Sequence, residues 1–266
     1  MSTVTAPRNV WLASPVLLAV IASAWLLGLT AEFTGHAQWI HHHRLVTGDM
    51  SLAASLALLL LAWQVHIAAM MLPSSLPMIR LFARTAARQP HPGTAHGAFI
   101  GGYLLVWTAF GVGALTLHNA VLAAGHHWHW LAHRPEWLAG GALVLAGAFQ
   151  FSGLKNACLR HCRHPGVFLM AHYRRGRLAA LHLGLRHGLF CIGCCWALML
   201  VMVVVGIANL AWMAPLALLM LYEKTGAYGD RVVKPVGIGL IVLGTLLLLA
   251  PEWTSVGHDH HGVHGH

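Results

Sequence analysis

The chain has 266 residues, of which 58% are hydrophobic and 9% charged, and its mean hydropathy is +0.66; a soluble domain carries roughly 25% charged residues. This excludes an ordinary soluble globular protein and points to an integral membrane protein. The formal charge of +9 does not mark a nucleic-acid binder, because the basic residues sit in short segments between apolar runs and form no nucleic-acid motif.

A helix needs about 20 apolar residues to cross a hydrocarbon core of roughly 30 Å. Seven candidate spans follow in chain order: Leu12–Thr30, Ser51–Leu72, Phe99–Ala123, Trp137–Gly153, Gly188–Ala208, Trp212–Tyr222 and Val236–Ala250. The expected fold is therefore all-α, a polytopic helix bundle forming a single transmembrane domain over residues 1–266. The sixth segment is short for a full span, and reads as a tilted or half-inserted helix or one that takes length from Asn209 and Leu210. The first follows Arg8, but no small-x-small cleavage site follows its apolar core, so it reads as an anchor rather than a signal peptide.

With the N-terminus in the cytoplasm, every Lys and Arg except Arg44 and Arg134 falls on the inner side, as the positive-inside rule requires. The expected localisation is the bacterial inner membrane, multi-pass, with the C-terminus in the periplasm. The same topology gathers the dense histidine clusters on the outer side: loop 31–50 with His36 and His41-His42-His43, loop 124–136 with His126-His127-Trp128-His129 and His133, and the tail 257–266. Neutral imidazole suits copper, zinc and nickel, and histidine-rich tracts are a compositional sign of metal capture. Residues 155–187 form a basic cytoplasmic loop in this reading.

Chemistry concentrates in Cys191-Ile192-Gly193-Cys194-Cys195-Trp196-Ala197-Leu198-Met199. On a helix of 3.6 residues per turn, Cys191, Cys195, Met199 and Met202 form one stripe, with Cys194 at its edge. Thiolate and thioether donors select Cu(I), zinc or iron–sulfur clusters over hard cations. The bland alternative is that Cys and Met fill helix interfaces as small or adaptable apolar residues. Five cysteines are an odd set, three in this segment and Cys158 and Cys162 in the basic loop, so a secreted disulfide framework is not expected.

The second span brings a further donor set. His66 and Met70 are four apart on one face, with Trp63 a turn earlier and Met71 alongside, and an ionisable residue inside a span is a functional candidate. This span runs inward and the fifth runs outward, so His66, Met70 and Met71 are expected at the depth of Cys191, Cys194 and Cys195. Gln150 and Lys155 close the fourth span at that level and Glu223-Lys224 close the sixth. Each of these alone reads as a snorkelling or capping residue, and Tyr103 and Trp107 as packing, but together they define an expected pocket in the inner leaflet, open to the cytoplasm. Cys158 and Cys162 lie four apart on an expected helical extension, where the cations around them favour thiolate.

Trp63, Ala69-Met70-Met71-x-Pro73, Phe149-Gln150, Leu154-Lys155-x-x-Cys158-Leu159-x-x-Cys162-Arg163-x-Pro165, Cys191-x-Gly193-Cys194-Cys195-Trp196-x-Leu198-Met199, Trp212-Met213 and Glu223-Lys224 together resemble a known family. It is the bacterial family of predicted metal-binding integral membrane proteins of unassigned function, labelled copper-chaperone-like in some genomes. The resemblance covers Trp63 to Lys224 and implies a multi-span protein that binds a metal; it supplies no reaction. Two positions depart from the family pattern: His66 stands where methionine is expected and Phe149 where tyrosine is expected. The first keeps a metal-competent donor, and the second alters packing.

These readings converge on a membrane metal-handling protein for copper, with zinc as the alternative ion. Metal is expected to be collected on the histidine-rich outer face and held or passed at Cys191, Cys194 and Cys195, supported by Met70, Met71, Met199 and His66. Cys158 and Cys162 stand beside the site, and Glu223 is expected to support the ligands from behind or to gate the site. The expected partners are the metal ion, the lipid bilayer and a cuproprotein or metal-chaperone protein. No nucleotide-binding motif is present, so active pumping by this chain alone is not expected. Two competing classes are a membrane thiol–disulfide oxidoreductase using Cys194 and Cys195 or Cys158 and Cys162, and a haem-binding or structural subunit of a respiratory complex using His66, His118 or His187.

Overall fold

The computed structural model describes residues 15–34, 52–125, 135–205 and 209–249. These form ten α-helices: α1 (Pro15–Phe33), α2 (Leu52–Met70), α3 (Leu72–Ala86), α4 (Pro92–Gly125), α5 (Pro135–Phe149), α6 (Gly153–Arg163), α7 (Pro165–His172), α8 (Arg177–Val205), α9 (Leu210–Thr225) and α10 (Gly229–Leu249). There is no strand among the described residues, and the expected all-α helix bundle is what is found. The histidine clusters at 41–43, at 126–129 and in the tail 257–266 lie outside the described residues.

Among the described residues four helices are long and apolar enough to cross a membrane: α1, α4, α8 and α10. Two further candidates are bent pairs, α2 with α3 at 75° and α5 with α6 at 70°. Pro73 in the first turn of α3 has no amide hydrogen to continue the ladder of α2, and the chain turns at Met71. At the second bend, Ser152 caps α6 by accepting a hydrogen bond from the Lys155 amide at 3.0 Å, which fixes the new helix direction. Of the seven expected spans, the sixth falls short as a helix of its own. It is α9, with 16 residues starting directly after its N-cap Asn209, and at 1.5 Å per residue it covers about 24 Å.

Within the stretch expected as a basic loop over 155–187, α6 carries Cys158 and Cys162 on the expected helical extension, while α7 and the first eleven residues of α8 are helical where a loop was expected. Arg177, His182 and Arg186 project from the exposed side of α8 while Ala180, Leu183, Gly184 and His187 are buried. A polar face and an apolar face at helical spacing make an amphipathic helix. Hydropathy alone therefore started the fifth span at Gly188, eleven residues late.

Helix α8 is the centre of the bundle and packs most closely on α4. A Cβ on Gly184 would fall on the Phe99 carbonyl, and one on Gly102 would meet the Leu181 and Leu185 backbone, so small residues let the two helices touch along their main chains. Helix α2 is tied to α4 by Trp63 Nε1, which donates to the Trp107 carbonyl at 2.8 Å, and by Gln64 Nε2, which donates to Thr108 Oγ1 at 2.6 Å. Leucines such as Leu61, Leu105, Leu189 and Leu218 face outward, whereas Gln150, Lys155, Glu223 and Lys224 face inward. A surface this apolar around a polar interior suits lipid rather than water.

Candidate metal site

Both helix breaks and the middle of α8 meet at one level, joined there by the C-terminal turn of α9. From α8 come Cys191, Cys194 and Cys195, all buried. Met71 comes from the α2–α3 break, and Ser74 and Ser75 from the first turn of α3. Gln150 and Lys155 flank the α5–α6 break, Cys158 and Cys162 lie on α6, and Glu223 and Lys224 close α9. Helix α6 is held along α8 by His161, whose ring stacks on Phe190 with centroids 4.2 Å apart. Gly193 allows the approach, because a Cβ there would stand 2.5 Å from Cys158 Sγ.

The adjacent thiols of Cys194 and Cys195 diverge. Each donates back to the Cys191 carbonyl, at 3.0 and 2.9 Å, but Cys194 Sγ lies 3.9 Å from Cys162 Sγ and Cys195 Sγ lies 3.8 Å from Met71 Sδ. Cys191 Sγ stands 3.5 Å from Tyr103 Oη, which accepts a hydrogen bond from Ser75 Oγ at 3.0 Å. The expected opposition of the α2 donors to the α8 thiols is made by Met71. Met70 and Met199 are buried in the same core, and His66 is buried against Trp63, with ring centroids 5.6 Å apart.

Lysine side chains complete the site. Lys224 Nζ donates to Cys191 Sγ at 3.1 Å and to Ser74 Oγ at 3.2 Å, and reaches Cys195 Sγ at 3.8 Å. Lys155 Nζ meets Glu223 Oε2 at 2.7 Å, with the two side chains 0% and 2% exposed. Gln150 Nε2 donates to the other carboxylate oxygen at 3.1 Å. Both Glu223 oxygens are thus engaged by protein groups, and Arg163 Nη1 donates to the Glu223 main-chain carbonyl at 2.6 Å. Gln150, Lys155, Glu223 and Lys224, each of which alone reads as a snorkelling or capping residue, are all buried inside the bundle at the level of the thiols.

No set of three His, Cys, Asp or Glu side chains converges as a metal site among the described residues. The sulfur donors form two neighbouring groups instead. One is Cys191 and Cys195 about the Lys224 ammonium, with Met71 against Cys195; the other is Cys194 with Cys162, beside Cys158. Low-coordinate soft-donor geometry of this kind suits Cu(I), whereas structural zinc takes four ligands in a tetrahedron.

A family model described as PpoB2, copper chaperone, matches residues 60–247, more than two thirds of the chain. The chain belongs to the PpoB2 copper chaperone family. No curated protein and no solved structure matches it. The match to the copper chaperone family begins inside α2 and ends inside α10, so it takes in all five cysteines and Met71 but neither the 31–50 loop nor the tail 257–266. Copper handling by the family fits the soft-donor chemistry of the site.

Three contributors to this candidate site do not read as such in the sequence: Ser74, Ser75 and Tyr103, which reads as packing; Lys224 is expected at this depth but with no role toward the thiols. A signal was present in two places. Lys224 is the lone cation of an apolar segment that ends level with the thiols. Ser74 and Ser75 directly follow the Pro73 break, where a helix start turns side chains back toward the preceding helix.

Proposed function

We propose that the chain is a bacterial inner-membrane copper-handling protein that binds the ion at Cys191, Cys195 and Met71. Cys194 and Cys162 act as a neighbouring pair through which copper enters or leaves. The observation that carries this reading is the convergence of all five cysteines and Met71 at two helix breaks, in a chain of the copper chaperone family. Cys162 is half-buried while Cys194 is buried, so the pair leads from the cytoplasmic side of the bundle into the interior. Met70, Met199 and His66 pack around the donors, Glu223 sets the position of the α9 terminus, and the histidine clusters of the outer face collect metal. The partner is a cuproprotein or another metal-carrying protein.

The test is metal analysis of full-length protein purified in mild detergent without oxygen. Cys191→Ser, Cys194→Ser and Cys195→Ser together should abolish stoichiometric copper while the protein still inserts and purifies, because serine keeps the size but not the soft donor. Full copper retention, with loss instead on removing the outer histidines, would place binding at the surface and make the cysteines packing. A second reading, dithiol redox chemistry, draws on the 3.9 Å contact between Cys162 and Cys194. Counting free thiols under air decides it, since a redox pair loses two thiols reversibly and a copper site keeps them.

A further inference from the structure

We infer that Lys224 is a fixed positive charge built into the copper pocket, and that it makes the Cys191–Cys195 site selective for a monovalent soft ion, Cu(I) or Ag(I), over a divalent one. This rests on the metal-binding reading above and names the charge class of the ion.

Lys224 is buried, and its described contacts are two sulfurs and one hydroxyl: Cys191 Sγ, Cys195 Sγ and Ser74 Oγ. No carboxylate among the described residues pairs with it. Glu223, the adjacent residue, is taken by Lys155 at 2.7 Å. Asp230 faces Arg163 at 3.7 Å near the surface, with side chains 68% and 18% exposed. The charges around the pocket therefore cancel in pairs and leave the ammonium alone with the thiols.

An uncompensated charge in such a place is strongly unfavourable. Two thiolates, one monovalent ion and the Lys224 ammonium sum to zero, so Cu(I) or Ag(I) completes a neutral site. Zn(II) in the same two thiolates leaves one net positive charge in the interior. The ligand set points the same way, for two thiolates with the Met71 thioether suffice for Cu(I), and no third His, Cys, Asp or Glu joins them among the described residues. Sulfur contacts of 3.1 and 3.8 Å hold the ammonium roughly 4 Å from an ion bound there. At that separation one extra unit of charge is worth about 10³-fold in affinity at an effective dielectric constant near 20, and solvent relaxation reduces this toward about tenfold.

The experiment compares wild-type protein, Lys224→Met, Lys224→Gln and Lys224→Arg, each purified anaerobically in detergent and titrated with Ag(I) and with Zn(II) against chelators of known affinity. The wild-type chain should prefer Ag(I), and K224M and K224Q should narrow the Ag(I) to Zn(II) affinity ratio by about 10- to 10³-fold. K224R, which keeps the charge, should leave the ratio within about threefold. K224Q keeps a polar partner for Ser74 and carries the test if K224M does not purify. An unchanged ratio in K224Q or K224M overturns the inference, and so does wild-type protein that binds Zn(II) as tightly as Ag(I) at the same cysteines. Failure of the underlying reading looks different: Cys191→Ser with Cys195→Ser would leave Ag(I) binding intact in an otherwise wild-type chain.

Discussion

Replacing Glu223 with glutamine removes the anion that holds three segments together at the site. Its carboxylate takes Lys155 Nζ at 2.7 Å and Gln150 Nε2 at 3.1 Å, and so ties the α5–α6 break to the end of α9. Glutamine keeps the size and one acceptor for Gln150, but leaves the Lys155 ammonium without an anion at a side chain with no exposed surface. Removing one partner of a buried pair costs about 3–5 kcal/mol, or about 10²- to 10³·⁵-fold in the unfolding constant. Replacing both partners, Lys155→Met with Glu223→Leu, removes the orphaned charge and should cost only about 1 kcal/mol or less. Unfolding in mixed micelles of increasing sodium dodecyl sulfate, followed by the fluorescence of the 11 tryptophans, reads both variants. If E223Q stays within about 1 kcal/mol of wild type, or the double variant is as unstable as E223Q, the pair does not hold α9 in place and the account of how the site is assembled is wrong.

Two further outcomes follow from the same geometry. Gly193→Ala sets a Cβ 2.5 Å from Cys158 Sγ and should destabilise the protein by about 1–3 kcal/mol through overpacking, a loss that Cys158→Ala in the same chain should largely restore in the micelle assay. An enzymatic reporter fused after Gly257 should be active in the periplasm, and one placed within His172–Arg177 only in the cytoplasm; the reverse pattern would put the thiols at the wrong face of the membrane for the proposed function.

The cysteine stripe of α8 was legible because four-residue spacing of sulfur in an apolar helix is a property of sequence alone. The meeting of Met71 with Cys195 followed from depth counting on two antiparallel spans, and the helical extension carrying Cys158 and Cys162 followed from their four-residue spacing. What hydropathy could not show was amphipathic structure. Arg177, His182 and Arg186 lower the mean hydropathy of a segment whose other face is buried, so the start of α8 read as loop. The pairing of charges was hidden for a related reason. Glu223 and Lys224 are neighbours in sequence but part in space, one to Lys155 and the other to Cys191, because successive helical residues point about 100° apart. Only the fold shows that each has its own partner.

The length of α9 bears on how the chain reaches the site. Lys224, near its C-terminal end, touches Cys191, and the short connection after Val205 requires α9 to run antiparallel to α8. Residues 191–205 of α8 and 210–224 of α9 then cover the same height, about 21 Å at 1.5 Å per residue. Helix α5, with 15 residues, ends at the same level, where Gln150 meets Glu223, and α2 ends there at Met71. Three helices thus stop or bend at the thiols. Each such terminus leaves main-chain groups without helical partners, a cost in hydrocarbon that is tolerated where the freed groups line a polar interior. Here they do: the Glu223 carbonyl accepts from Arg163, the Met71 carbonyl accepts from Ser74 Oγ at 3.0 Å, and the Lys155 amide is capped by Ser152. A full-length α9 would carry Lys224 past the thiols, so the helix too short to be a standard span is the one that delivers the ammonium to Cys191.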